Sequence, residues 1–383
     1  MPTADMVQVH LLTAYPASLL NRDDAGLAKR IPFGGTERVR ISSQCLKKHW
    51  REAPHVSGMG ELAVRSTRIY EELVARALEE KGASAQEASA IARFLMSETV
   101  ETKPAKDKKT GAETARSGQL LVLTRAETRF LAERGMEILA ALREAGVTAA
   151  DSDDVKKAGV FDKKQWGSTL KGLPASLDTA MFGRMVTSDL FARVDAAVSV
   201  AHAFTTHAAA AENDYFTAVD TLKTDEDDAG AGLINETELT SGVFYTYAVI
   251  DMNQLRANLG EQAGDAEKLA RALVEAMATV SPGAKRGSTA PYSRAELVLI
   301  ERGGEQPRTL ANAFLKPVGG KGGGLMEESV NALLERRGDL DGMYEDTDGL
   351  ATLSTIHDVP KDVRAEKVPF RVALGRIFRA PGE

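Results

Sequence analysis

Apolar and polar positions along the chain set out a mixed series of elements. Val7–Thr13 (VQVHLLT) is a short β-rich run and predicts a first strand. Ala14–Pro32, with Pro16, Asn21, Arg22, Asp23 and Asp24, reads as a long loop. Gly34-Gly35 is a turn signal, and Arg38–Ile41 alternates charge with branched apolar residues as a second strand would. Ser42-Ser43-Gln44 stands where an N-cap belongs, before a helix through Arg51. Glu61–Lys81 carries Leu62, Ile69, Leu73 and Ala77 at helical spacing, and Gly82 ends it. Ser84 with Glu87, and Thr124 with Glu127, are capping-box patterns opening two further helices. A strand at Leu120–Leu123 crosses this helical block.

Strand character returns at Asp178–Thr187 and in the alternation of Val194–Ala201. Asp220–Gly232, acidic and rich in Gly and Ala, reads as a mobile loop. Phe244–Ile250 and Glu296–Ile300 predict strands, Ala266–Val280 and Glu327–Arg337 helices. This order predicts an α+β sheet core with a large helical insertion near residue 60.

Composition narrows the classes. Two or three domains fit in 383 residues. A lone cysteine, Cys45, excludes an intrachain disulfide framework and suits a reducing, cytoplasmic setting. No apolar run reaches the ~18 residues of a membrane span, and Met1–Asp5 lacks the character of a signal peptide. The formal net charge is −7, and taken alone it argues against nucleic acid.

Catalytic constellations are few. His202 and His207 are five residues apart and share neither a helical nor a strand face, so ordinary polar contacts are the expectation, not a metal. Around Lys321 the sequence VGGKGGG lacks the frame and the Ser or Thr of a P-loop, although a basic glycine loop can still touch phosphate. Cys45 reads as a small buried residue rather than a reactive thiolate.

Charge distribution is more informative than the total. Arg22–Arg51 holds eight basic residues (Arg22, Lys29, Arg30, Arg38, Arg40, Lys47, Lys48, Arg51) against Asp23, Asp24 and Glu37, a net charge of +5. On the helix after Ser43, Leu46 and Trp50 fall on one side and Lys47, Lys48 and Arg51 on the other. A helix start beside two hydroxyls and an amide makes this a phosphate cradle or, more blandly, a solvated basic face. Basic residues cluster again at Lys103–Lys109, at Lys156, Lys157, Lys163 and Lys164, and at Lys285, Arg286, Lys316 and Lys321. Acid is gathered at Glu212–Glu238, with nine acidic residues and one basic.

VHLLTAYPASLLNRDDAGLAKRIPFGGTERVRISSQCLKKHWR resembles the start of the CasC family, the repeated backbone subunit of the type I-E CRISPR Cascade complex. MFGRMVTSDLF, VDAAVSVAHAFTTH, DYFTAVD, SGVFYTYAVIDMNQL, PGAKR and LANAF follow in family order. The resemblance implies an RRM-like (ferredoxin-like βαββαβ) palm at 1–59, 176–201 and 243–383, helical fingers at 60–175 and a β-hairpin thumb at 202–242. It implies a non-catalytic subunit without cofactor or metal, forming a filament of copies along CRISPR RNA (crRNA). Each thumb kinks the RNA at regular intervals, and the remaining bases pair with target DNA. CasA, CasB, CasD and CasE are the implied further partners. The family's RNA-contacting positions fall on Arg22, Lys29, Ser42, Gln44, Lys47, Lys48 and Arg51, on Met185, on Tyr215, Phe216 and Thr217, and on Lys316 and Lys321. Lys156, Lys157, Lys163 and Lys164 match a region that guides target DNA. Core packing is the competing reading for Met185 and Phe216. For the whole chain, the competing reading is an α/β enzyme with a helical lid that acts on a phosphorylated metabolite, with Gly34-Gly35 or Gly319–Gly324 as its anion loop.

Overall fold

A computed structural model describes residues 4–100, 104–106, 113–149, 151–186, 188–218, 233–319, 324–345 and 349–378. The chain divides into two compact units, residues 1–58, 198–253 and 264–383 in one and 59–197 with 254–263 in the other.

The first unit is built on a ten-stranded sheet: β1 (Met6–Ser18), β2 (Arg30–Phe33), β3 (Thr36–Ile41), β4 (Val198–Val200), β5 (Ala203–Thr205), β6 (Ala211–Ala218), β7 (Leu233–Asp251), β8 (Leu297–Gly303), β9 (Leu350–Thr355) and β10 (Glu366–Lys367). Its order is β10-β9-β8-β1-β7-β5-β3-β2, and β4 and β6 also pair with β7. β1 lies in the middle, antiparallel to both β7 and β8, and is buried on both faces, which is why VQVHLLT does not alternate cleanly. Leu12, Tyr245, Leu299 and Leu353 from four strands meet Phe314 and the Val330 and Leu333 side of the helix Leu325–Met343. Strand propensity continues past Thr13, so β1 runs to Ser18, and the expected loop shortens to residues 19–29. The extension expected at 202–242 contains β5 and the β6–β7 hairpin, registered from Ala211↔Thr240 to Ala218↔Leu233. The acidic stretch 219–232 lies outside the described residues.

The second unit is mainly helical. Both capping boxes form: Ser84 and Thr124 each accept from the backbone of a glutamate three residues on, which reaches back to the cap. Three expectations change here. Glu61–Lys81 is not one helix: a short strand, Val64–Ser66, pairs with Leu121–Leu123, and helical structure starts at Tyr70. Asp178–Thr187 is not a strand, because Leu177–Phe182 is helical and buried Asp178 accepts from the Ala63 N–H at 2.8 Å and pairs with Arg65. Of the Val194–Ala201 alternation only Val198–Val200 pairs as strand. These contacts, the buried Arg184–Glu127 pair and the packing of Leu190 and Phe191 into the core around Leu131 and Trp166 place 176–197 with the helical insertion rather than with the sheet.

Candidate nucleic-acid interface

The hydrophobic pattern of α1 (Ser43–Glu52) positions its charge. Leu46 and Trp50 are buried, leaving Gln44, Lys47, Lys48 and Arg51 at i, i+3, i+4 and i+7 along one outward face. Gln44 and Lys48 are exposed, Lys47 and Arg51 half-buried; burial lowers the Lys47 ammonium's pKa. Ser42 is 7% exposed and its hydroxyl caps the helix, accepting from Cys45 N–H at 3.3 Å. Its role is therefore to orient α1, and Ser43 and Gln44 present the polar surface of that first turn.

Asn21 ties the preceding loop to this helix. Its side-chain oxygen accepts from Ser42 N–H at 2.9 Å, and its carbonyl accepts from Lys29 N–H at 3.0 Å. Asp23 closes the turn between them, accepting from Ala25 and Leu27 N–H, and Arg22 bridges Ala28 in antiparallel fashion. Buried Glu238, on β7, holds the loop's far end: it accepts from Ala28 N–H at 2.6 Å and pairs with Arg30. Arg22 and Lys29 are thus delivered beside α1 on a braced loop. Not all of the +5 stretch faces outward. Arg38 is fully buried, donating to the Thr205 and Phe314 carbonyls at 3.0 and 2.7 Å, and is a core strut.

The segment 281–293, which includes the short helix Arg286–Thr289, adds Arg286, a residue of the basic clusters outside the expected contacts. Ala284 N–H donates to Leu19 O at 2.9 Å, at the root of the 19–29 loop. Burial raises the Cys45 thiol, and positive Lys48, Lys29 and Arg286 oppose that rise; burial lowers His49, assisted by Arg286 and Lys48. Three segments distant in sequence therefore share one positive field. The signal in the sequence was PGAKR, a basic pair after a Pro-Gly turn. Lys316 is exposed and follows Leu315, whose carbonyl lies against Gly34. Gly34-Gly35 is consequently a tight turn on a carbonyl oxygen, which disfavours its reading as an anion loop. From that turn to the start of α1 is the length of β3, about 17 Å at ~3.3 Å per residue. The cations are strung along an extended path and do not converge on a point.

Other expected positions are dispersed. Tyr215, on β6, is 58% exposed and registers with Glu236; Phe216 and Thr217 continue the strand, their side chains outside the described residues. Lys321 also lies outside them. Met185 belongs to the helical unit and is 86% exposed, which excludes core packing in this chain. Its neighbour Arg184 is locked down by Glu127 at 2.6 Å and Ala192 O at 2.7 Å. Lys156 and Lys157 are exposed but pair with Asp153 and Asp154; Lys163 and Lys164 are exposed in the first turn of their helix, where the dipole disfavours cations. His207 accepts from Val243 N–H and holds the Ala208 carbonyl, and His202 meets Arg40. Among the described residues no three His, Cys, Asp or Glu side chains gather to hold a metal, and no helix is long and apolar enough to cross a membrane.

Comparison with known proteins extends over the whole of this architecture. A family model described as CT1975-like protein matches residues 7–374. Among solved structures, a chain of "CRISPR RNA-guided surveillance complex, pre-nicking" superposes with a TM-score of 0.82 at 27% identity, covering 97% of this chain and 99% of that one. A chain of "CRISPR RNA-guided surveillance complex" shares the fold, with a TM-score of 0.74 at 24% identity over 98% and 100%. Comparison with curated proteins returns no match.

Proposed function

The chain belongs to the CT1975-like protein family, and from that premise we propose that it is a CasC-type backbone subunit of a CRISPR RNA-guided surveillance complex of type I-E. In this reading it has no catalytic role. Copies assemble along the crRNA, and Gln44, Lys47, Lys48 and Arg51, with Arg22, Lys29 and Arg286, hold successive phosphates. Backbone contacts of this kind fix position without reading sequence, so base pairing is left to select the target DNA. The β6–β7 hairpin acts as the thumb that kinks the RNA, Met185 wedges against bases, and the finger lysines meet target DNA. The element order β1, α1, β4/β5, β7, the helix Ala266–Thr279, β8, with strands ordered β8-β1-β7-β5, supports an RRM-like palm.

The observation that carries the proposal is the likeness over 97% of the chain to a surveillance-complex chain at 27% identity. The test is coexpression with a CRISPR array and the partner subunits CasA, CasB, CasD and CasE. Co-purification with short RNA of uniform length is expected; protein free of nucleic acid under those conditions refutes it.

A further inference from the structure

We infer that Lys29, Arg40 and His202 form a phosphodiester-binding notch in which His202 takes up a proton when the anion arrives. This rests on the nucleic-acid reading above and extends it from Lys29 to Arg40 and His202, which lie outside the expected contacts. Arg40, on β3, is oriented by two bonds: Nε donates to Arg30 O at 3.1 Å, and Nη1 donates to His202 Nδ1 at 2.9 Å. A guanidinium has no acceptor, so this bond requires a neutral imidazole with its proton on Nε2. Arg40 and Lys29 N–H and C=O groups hold the strands together, since Arg40 N–H donates to Lys29 O at 2.7 Å, which brings the two residues side by side. His202 is exposed, Arg40 and Lys29 half-exposed. Burial, then Arg40, then Lys29, all lower the pKa of His202, and no carboxylate acts on it among the described residues. Elsewhere in this unit, Arg302, Arg308 and Arg337 each pair with carboxylates. At this notch Lys29 at the end of the 19–29 loop, Arg40 on β3 and His202 in the β4–β5 connection have no carboxylate partner among the described residues. A phosphate would supply the counter-charge. Arg40 Nη1 then turns to a phosphate oxygen, Nδ1 gains a proton from solvent, and imidazolium becomes a third cation on the anion.

The experiment has two arms. In the first, binding of fluorescein-labelled single-stranded RNA is followed by anisotropy between about pH 5.5 and 8. Wild type should tighten as pH falls, the logarithm of Kd changing by up to about one per pH unit, the limit for one linked proton. H202Q should bind without that slope, and R40Q should weaken binding and remove it. A slope that persists in H202Q, or binding that is independent of pH in wild type, overturns the notch while leaving the RNA reading intact. In the second arm, NMR follows the imidazole of His202, assigned by its loss in H202Q, during titration with tripolyphosphate. Its titration midpoint should rise on binding by more than one pH unit. An unmoved midpoint overturns the proposal even if RNA binds to no variant, an outcome that would separately refute the function.

Discussion

Gly34 and Gly35 permit a test in which two neighbouring glycines differ in one variable. Both occupy left-handed backbone, at φ +62° and +73°, as a two-residue hairpin between β2 and β3 demands. A Cβ at Gly35 meets nothing within 4 Å, whereas one at Gly34 would lie 1.7 Å from Leu315 O. G35A therefore carries only the left-handed cost, about 1–2 kcal/mol. G34A carries the same cost and must also drive Leu315 back by about 1.5–2 Å to restore ordinary contact. At the ~1–3 kcal/mol typical of overpacking, its total is about 2–5 kcal/mol. The two tryptophans make the measurement selective, since Trp50 is buried in the sheet unit and Trp166 in the helical one. In a W166F background, urea unfolding followed by fluorescence reports the unit that holds the turn. G34A should unfold at lower urea than G35A by at least about 1 kcal/mol. Equal midpoints would show that the Leu315 carbonyl does not close this turn, and with it would fall the placement of Lys316 beside β2 and β3.

Four other outcomes follow from the same reasoning. K47E with K48E reverses charge on the outward face of α1 and should abolish RNA retention while the circular dichroism of the monomer stays native; retained RNA removes this helix from the site. R184M strands Glu127 inside the helical unit, where both side chains are 2% exposed, and should cost about 3–5 kcal/mol in a Trp166-reported unfolding curve; a loss below about 1 kcal/mol would mean the pair is dispensable. Cys45 should react with a disulfide reagent at neutral pH more slowly than a free thiol, because burial raises its pKa despite three nearby cations; a rate at or above that of a free thiol contradicts this. Burial pushes Glu301 up, but His10, Arg337 and Arg308 outweigh it and hold it at about 2, below the ordinary 4.5. Its contribution to stability is present above pH ~4.5 and is lost as pH falls toward 2, so E301Q should flatten the acid limb of the stability profile of the sheet unit, and an unchanged limb would refute the assignment.

The resemblance to the CasC family, resting on blocks between Val9 and Phe314, is borne out by the family match over residues 7–374. Local signals were legible wherever a few adjacent residues decide the structure. The capping boxes at Ser84 and Thr124, the Ser42 cap and the two-faced pattern of α1 all have partners within four residues. Misreadings arose where distant partners decide. Asp178–Thr187 reads as a strand because the helix that holds its first residues, Leu177–Phe182, is under two turns long and takes its anchors from Ala63 and Arg65, more than a hundred residues away. The boundary of the insertion was misplaced for the same reason, since Arg184 and Leu190 belong with Glu127 and Trp166.

By itself, then, the sequence determined which residues are charged, which helices start where, and that a basic face on α1 stands opposite Leu46 and Trp50. Hydrophobic period and capping are local physics, and they are written in consecutive residues. Tertiary structure decided which of those charges are available. It buried Arg38 between two carbonyls, committed Arg30 to Glu238, and left Arg40 facing a histidine 162 residues away. It also brought Arg286 into the field of α1. Charge acts through space and burial, and both are set by the sheet order rather than by position along the chain.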